Sequence, residues 1–355
     1  MTTSVTTPAT APATSTTAPP ALRQQLPLLL VMFFWGTAFT ISKPLVGEAP
    51  HAVVAALRFG GGAILLLPVL LRRPATAAGP VPATGRAGRR PAVIAAACGV
   101  LGVFAYNALF YWSLSLAPAV DGSIIVPVLS PVLTTLLVVG LRWEKVTRMR
   151  SAGLALGVTG AALYLLAAGG AAGGQRLLGD LGFVAAAASW AAYTVMGRRV
   201  LTGIEPVRAT AWAMLAGSAL LLLWSAPELA ETDFTALSGG FWLSVAYLVV
   251  GPTAVAYVLY YRGVRDVGSS RAAVMMFLVP VIGSACSMSL LGERIAPLQG
   301  LGAVVMLAGA ALAAQLQPRL RSVAKTAAST RERTPSFSSM RATCSRAVRS
   351  VMPRR

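Results

Sequence analysis

The sequence predicts an all-α integral membrane protein: ten transmembrane helices arranged as two inverted five-helix repeats. Three observations carry that prediction. The first is hydropathy. Of 355 residues, 56% are hydrophobic and 12% charged, the mean hydropathy is +0.70, and the apolar residues come in uncharged runs of the ~20 residues that a helix needs to cross a bilayer. The second is an internal duplication about 150 residues long, too long for a solenoid unit and suited to half of a membrane protein. The third is the sidedness of the basic residues, which sets the orientation of each half.

Ten segments follow in order: 26–46, 51–71, 93–116, 123–141, 149–169, 179–200, 208–226, 241–262, 271–291 and 296–316. The first carries Trp35-Gly36 and ends at Lys43. The second holds Arg58-Phe59 and a glycine run. The third runs into polar Ser113 and Ser115. The fourth contains Pro131 and is followed by Arg142-Trp143-Glu144-Lys145. The fifth is marked by Gly153 and Gly160. The sixth carries Trp190 and ends at Arg198. The seventh is a plain apolar run, and the eighth has Pro252 inside it. The ninth contains Pro280 and leads to Leu291-Gly292-Glu293-Arg294. The tenth is marked by Gly302 and Gly309. Flanking them are a Thr-, Ala-, Pro- and Ser-rich tail over 1–25 and a basic tail over 317–355, both expected to be disordered because they have too little apolar surface to bury. The domain reading is therefore tail, repeat 26–169, repeat 179–316, tail.

One offset of 149 superposes Pro131 on Pro280, Glu144 on Glu293, Gly153 on Gly302 and Gly160 on Gly309. The first helices align at 155, placing Lys43 on Arg198, and the second at 156; the longer 72–92 loop accounts for the drift. With the N-terminus inside, the short inner loops hold fifteen Lys and Arg, and the outer loops hold only Lys43, Arg176 and Arg294. Both termini are then cytoplasmic. Five spans per half is an odd number, so the second half enters from the opposite face and the repeat is inverted.

Composition excludes several function classes. The net charge of +19 sits in loops and tails between spans, which speaks for anionic headgroups rather than nucleic acid. A single histidine, His51, rules out a His-based metal cluster. There is no Gly-Lys dipeptide and so no P-loop. The eleven acids are scattered through loops and helix ends, without the paired spacing of a metal-dependent enzyme. Cys98, Cys286 and Cys344 have no ligand-like neighbours. Catalytic residues, metal and cofactors are expected to be absent, and the protein is not expected to be an enzyme. No Asp or Glu falls near the middle of a span, where proton carriers usually sit; Asp121 is expected in a tight link at a helix end.

The candidate site residues are those that a bilayer explains poorly. Trp35, Tyr106, Asn107 and Trp190 lie deep in their spans. With Tyr111 and Tyr257 they are candidates to line a cavity between the halves, although interfacial belts also account for tyrosines near span ends. Arg58 lies a third of the way into its span. It either reaches the outer headgroups or serves an anionic site or gate. Lys43 and Arg198 are anchors or gates. Pro131 and Pro280 each remove a backbone hydrogen bond, and are matched hinges or simply kinks. Gly153-x-x-x-Gly157 serves either internal packing or a homodimer contact.

The Trp35-Gly36 pair, Arg58-Phe59, the proline-bearing fourth and ninth spans, and Gly292-Glu293-Arg294 before a glycine-rich last span resemble the EamA-type permeases of the drug/metabolite transporter superfamily, over about 26–316. The first half departs from that pattern, keeping Glu144 without the glycine. The resemblance implies a bacterial inner-membrane secondary transporter, often an exporter of amino acids or drug-like metabolites, with a substrate cavity between the halves and alternating access. An integral membrane enzyme or lipid-handling protein is the alternative.

Overall fold

A computed structural model describes residues 22–71, 89–143, 147–172, 174–200 and 206–314. Glu144, Lys145 and most of both proposed tails lie outside the described residues. The described chain is helical, with no strand: α1 (Leu22–Glu48), α2 (His51–Leu71), α3 (Arg89–Gly99), α4 (Tyr106–Leu116), α5 (Ala119–Gly140), α6 (Arg148–Ala172), α7 (Gly174–Val200), α8 (Pro206–Glu231), α9 (Gly239–Leu248), α10 (Ala256–Val267), α11 (Ser269–Met275), α12 (Leu278–Leu290) and α13 (Pro297–Ala314). Residues 22–25, assigned to the N-terminal tail, already open α1. A π-helical segment, Val100–Ala105, joins α3 to α4, and a second, Val249–Val255, joins α9 to α10. Counting each joined pair as one, eight helices among the described residues are long and apolar enough to cross a membrane; α12 and α13 are shorter apolar helices.

The expected ninth segment is not one helix. A turn at Met276–Phe277 separates α11 from α12. Pro280 is therefore the third residue of α12, where a missing N–H costs little. Its repeat mate Pro131 sits inside the unbroken α5, four residues after Pro127. The matched kinks are thus unequal. In both helices a hydroxyl one turn on bonds the proline carbonyl: Thr135 Oγ1 at 2.9 Å in α5 and Ser284 Oγ at 2.6 Å in α12.

The two helix ends also differ by one residue type. Beyond α12 the chain turns through Gly292 at φ +65°, and beyond α5 through Arg142 at φ +57°. A left-handed residue after a helix lets the following N–H groups return to the last carbonyls. Here Arg142 N bonds Val139 O and Trp143 N bonds Val138 O. Arg142 adopts the left-handed conformation that glycine adopts in the second half, one residue earlier by the offset of 149.

The most extensive helix packing runs across the halves. α1 lies against α10 and α12, while its repeat counterpart α7 lies against α4 and α5. Like also meets like: α2 packs on α8, α5 on α12, and α6 on α13. The α6–α13 pair is the tightest. A Cβ on Gly160 would stand 2.3 Å from Met306 N, and one on Gly309 2.3 Å from Gly157 N, so these glycines let two backbones touch. The Gly153–Gly157 face is thereby used in internal packing.

Candidate functional site

Arg58 is 8% exposed, and its guanidinium is held by side chains within the helix bundle. Nε donates to Thr253 Oγ1 at 3.2 Å, and an Nη donates to Tyr111 Oη at 3.2 Å. Its Cζ lies 4.8 Å from the Phe59 ring centroid. Gly62 makes this geometry possible: one turn along from Arg58, its Cα abuts Thr253, and a Cβ would meet Thr253 Cγ2 at 2.4 Å. Tyr111 is fully buried and is also within hydrogen-bond distance of Ser42 Oγ, at 3.3 Å. It steadies Arg58 rather than lining a space. Among the described residues no carboxylate pairs with Arg58.

Around this cation stand half-buried aromatics contributed by both halves. Trp35 packs on Tyr257 and Tyr260, at centroid distances of 6.0 and 5.2 Å. Trp190 packs on Tyr106 at 5.3 Å and on Tyr193 at 5.4 Å. Trp35 of the first half thus meets two tyrosines of the second, and Trp190 of the second half meets Tyr106 of the first as well as Tyr193 on its own helix. Tyr257 lies within electrostatic reach of Tyr106, Tyr193 and Arg58, so the two clusters adjoin one region.

The π segments explain how the backbone serves this region. They occupy repeat-equivalent positions, starting at Val100 and Val249. A π turn breaks the regular i−4 ladder and leaves carbonyls for side chains. Pro252 lacks an N–H and accounts for the second. Its own carbonyl accepts from Trp35 Nε1 at 3.2 Å, and Leu248 O accepts from Thr253 Oγ1 at 2.8 Å. In the first, Leu101 O accepts from Ser189 Oγ at 2.9 Å and Val103 O from Asn107 Nδ2 at 2.7 Å. Asn107 is therefore partnered by its own helix, while its Oδ1 has no protein partner.

The remaining candidates lie elsewhere. Lys43 Nζ donates to Leu114 O at 2.6 Å and Ala117 O at 2.8 Å, closing the end of α4, where a cation opposes the helix dipole. The side chain of Arg198 is outside the described residues. Pro131 and Pro280 do not join the aromatic cluster's hydrogen bonds. Glu293 grips the start of α5 across the halves, accepting from Ala119 N at 2.8 Å and Val120 N at 2.7 Å. Asp121 is not in a link: it lies in the first turn of α5, fully buried and ion-paired with Arg176. Sequence reasoning missed Thr253, Tyr193 and Asp180. The first two sit beside flagged residues, one after Pro252 and three after Trp190. Among the described residues no group of His, Cys, Asp and Glu has the makings of a metal site.

Comparison with known proteins adds the same twofold pattern. The model of the EamA-like transporter family matches twice, over 25–166 and 177–315. The chain is 27% identical over 285 residues to an uncharacterized transporter, YyaM, of Bacillus subtilis, covering 79% of this chain and 90% of that one. It is 27% identical over 285 residues to a probable terminal-alkyne amino-acid exporter of Streptantibioticus cattleyicolor, covering 80% and 91%. Over 189 residues it is 28% identical to the aromatic amino acid exporter YddG of Ancylobacter novellus, covering 52% and 63%. A solved crystal structure shares the fold at a TM-score of 0.55 and 23% identity, covering 85% of this chain and 99% of that one.

Proposed function

The chain belongs to the EamA-like transporter family, and from that premise we propose that it exports small amino-acid-like metabolites across the bacterial cytoplasmic membrane by alternating access. The observation that carries the reading is Arg58: a buried guanidinium held by two hydroxyls, facing no carboxylate among the described residues, beside aromatics from both halves. A buried charge is normally paired. A substrate carboxylate supplies the pair, with a bidentate fit that a guanidinium favours. The rings of Trp35, Tyr106, Trp190 and Tyr257 then take the apolar side chain. Asn107 Oδ1 is available to accept from a substrate N–H. The exporter relatives, two of them named for amino acids, support this substrate class.

The membrane arrangement in this reading has ten spans in two inverted units, 26–169 and 179–316, with both termini cytoplasmic. The fifteen-to-three bias of basic residues supports it. Helices that pack across the halves in like-for-like pairs support rocking of one unit against the other, with Pro131 and the α11–α12 break as unequal hinges. Purified protein in proteoliposomes tests the proposal by counterflow of phenylalanine against phenethylamine, its decarboxylated analogue. Movement of the acid and not the amine is expected. Equal movement of both, or unchanged phenylalanine counterflow in Arg58→Gln, overturns the carboxylate seat.

A further inference from the structure

A second buried polar cluster lies apart from Arg58, where α5, α6 and α7 meet. Asp121 of α5 accepts from Tyr164 Oη of α6 at 2.6 Å to Oδ1. It also takes both bonds of the Arg176 fork, Nε to Oδ2 at 2.8 Å and Nη2 to Oδ1 at 2.9 Å. Asp180, the seventh residue of α7, is fully buried, and among the described residues no donor group bonds either of its carboxyl oxygens; it faces the Asp121 carboxyl. The register of α5 against α7 sets the two acids side by side. The Cα of Gly122 abuts the ring of Phe183, and that of Gly179 abuts Ala117. Asp180 is accordingly within electrostatic reach of both Asp121 and Arg176.

Charge counting makes the site unusual. Two buried carboxylates face one guanidinium, and that guanidinium is committed to Asp121. Lys43 from α1 and Glu293 from the link before α13 also face this region, but they carry opposite charges. Lys43 is spent on carbonyls and Glu293 on amides. Asp121 lies in the first turn of its helix, where the dipole favours an anion. Adjacent buried carboxylates do not both ionise, and an unpaired buried carboxylate carries a desolvation penalty of several kcal/mol. One proton on Asp180 restores neutrality. Loss of that proton leaves two anions contending for Arg176 at the junction between a first-half helix and a second-half helix.

We infer that Asp121 and Asp180 form a proton-binding site, with the exchangeable proton on Asp180, and that this proton is the coupling ion of transport. The first half of this inference stands by itself; the second rests on the transporter reading above. Infrared difference spectroscopy of the protein in lipid vesicles tests the site directly. Raising the pH should remove a protonated-carboxyl C=O band that shifts in D2O and is missing in Asp180→Asn. The amide in that variant is isosteric with the neutral acid, and thermal unfolding checks that it folds. A wild-type protein with no titrating carboxyl band, or a band unchanged in Asp180→Asn, overturns the site. A one-unit pH gradient should drive about tenfold accumulation of phenylalanine at one proton per substrate, falling to about onefold in Asp180→Asn. Accumulation retained by that variant overturns coupling. Should wild-type vesicles move no amino acid at all, the substrate reading fails while the band still decides the site.

Discussion

Replacing Gly160 by alanine probes the contact on which the α6–α13 pair is built. The new methyl carbon would lie 2.3 Å from Met306 N, 2.7 Å from Met306 Cα and 2.8 Å from Gly302 O. Carbon atoms rest at about 3.5–4.0 Å, so the two backbones must part locally by about 1 Å. Overpacking of this kind costs about 1–3 kcal/mol. A main-chain neighbour has no rotamer into which to retreat, so the upper part of that range applies. Alanine's better helix propensity returns about 1 kcal/mol. The net loss is about 1–2 kcal/mol, or a factor of about 5–30 in the folded population. Gly300→Ala, on α13 itself, is the control: nothing lies within 4 Å of its would-be Cβ, so only the propensity gain remains. Reversible unfolding in mixed detergent micelles, followed by circular dichroism, reads both variants. Equal midpoints for Gly160→Ala and Gly300→Ala would refute the claim that backbone contact, rather than helix propensity, sets the stability of this pair.

Other substitutions separate binding from folding. Arg58→Gln should raise the KM for an amino-acid substrate by ~10–100-fold, matching the ~1.5–3 kcal/mol of a charged hydrogen bond; Arg58→Lys should recover part of this, since it keeps the charge and loses the fork. Radiolabelled uptake in vesicles measures both, and loss with Lys but not with Gln would contradict a charge-based role. Trp190→Ala and Asn107→Leu should abolish flux at near-normal membrane abundance, the latter because it removes the amide that bonds Val103 O at 2.7 Å and offers Oδ1 to a substrate N–H. Normal flux in both would remove these residues from the site. Glu293→Ala strips two charge-assisted bonds from the start of α5 and should lower stability by about 1–2 kcal/mol, read as a shifted unfolding midpoint.

Much of the architecture was legible because bilayers impose simple rules. Uninterrupted apolar runs locate helices, and the offset of 149 between matched prolines, acids and glycines reveals the duplication. What stayed hidden depends on register between distant helices. No local pattern marks the first π segment, since Val100–Ala105 contains no proline. Pro280 looks equivalent to Pro131 in sequence, yet the α11–α12 break that ends three residues before it changes what a missing N–H costs. Arg58, Trp35, Tyr106, Trp190 and Tyr257 were identifiable as residues costly or unusual at their depth, and they converge. Tyr111 was misjudged in kind: its phenol faces Arg58 instead of a cavity. Asp180 was overlooked because α7 begins five residues before the expected span, which carries this acid from a boundary into the helix.

The cross-half packing also bears on how the chain comes to be made. Trp35 finds its hydrogen-bond acceptor at Pro252, 217 residues later. Thr40 and Ser287, whose hydroxyls lie 2.8 Å apart, are separated by 247. Synthesis at ~5–20 residues per second keeps the first helix waiting on the order of ten to fifty seconds for its neighbours. Throughout that interval lipid or the insertion machinery must cover the small, polar-flecked face that α10 and α12 will finally occupy. Truncation after the first unit would strand that face permanently, making the half-length product a target for quality control.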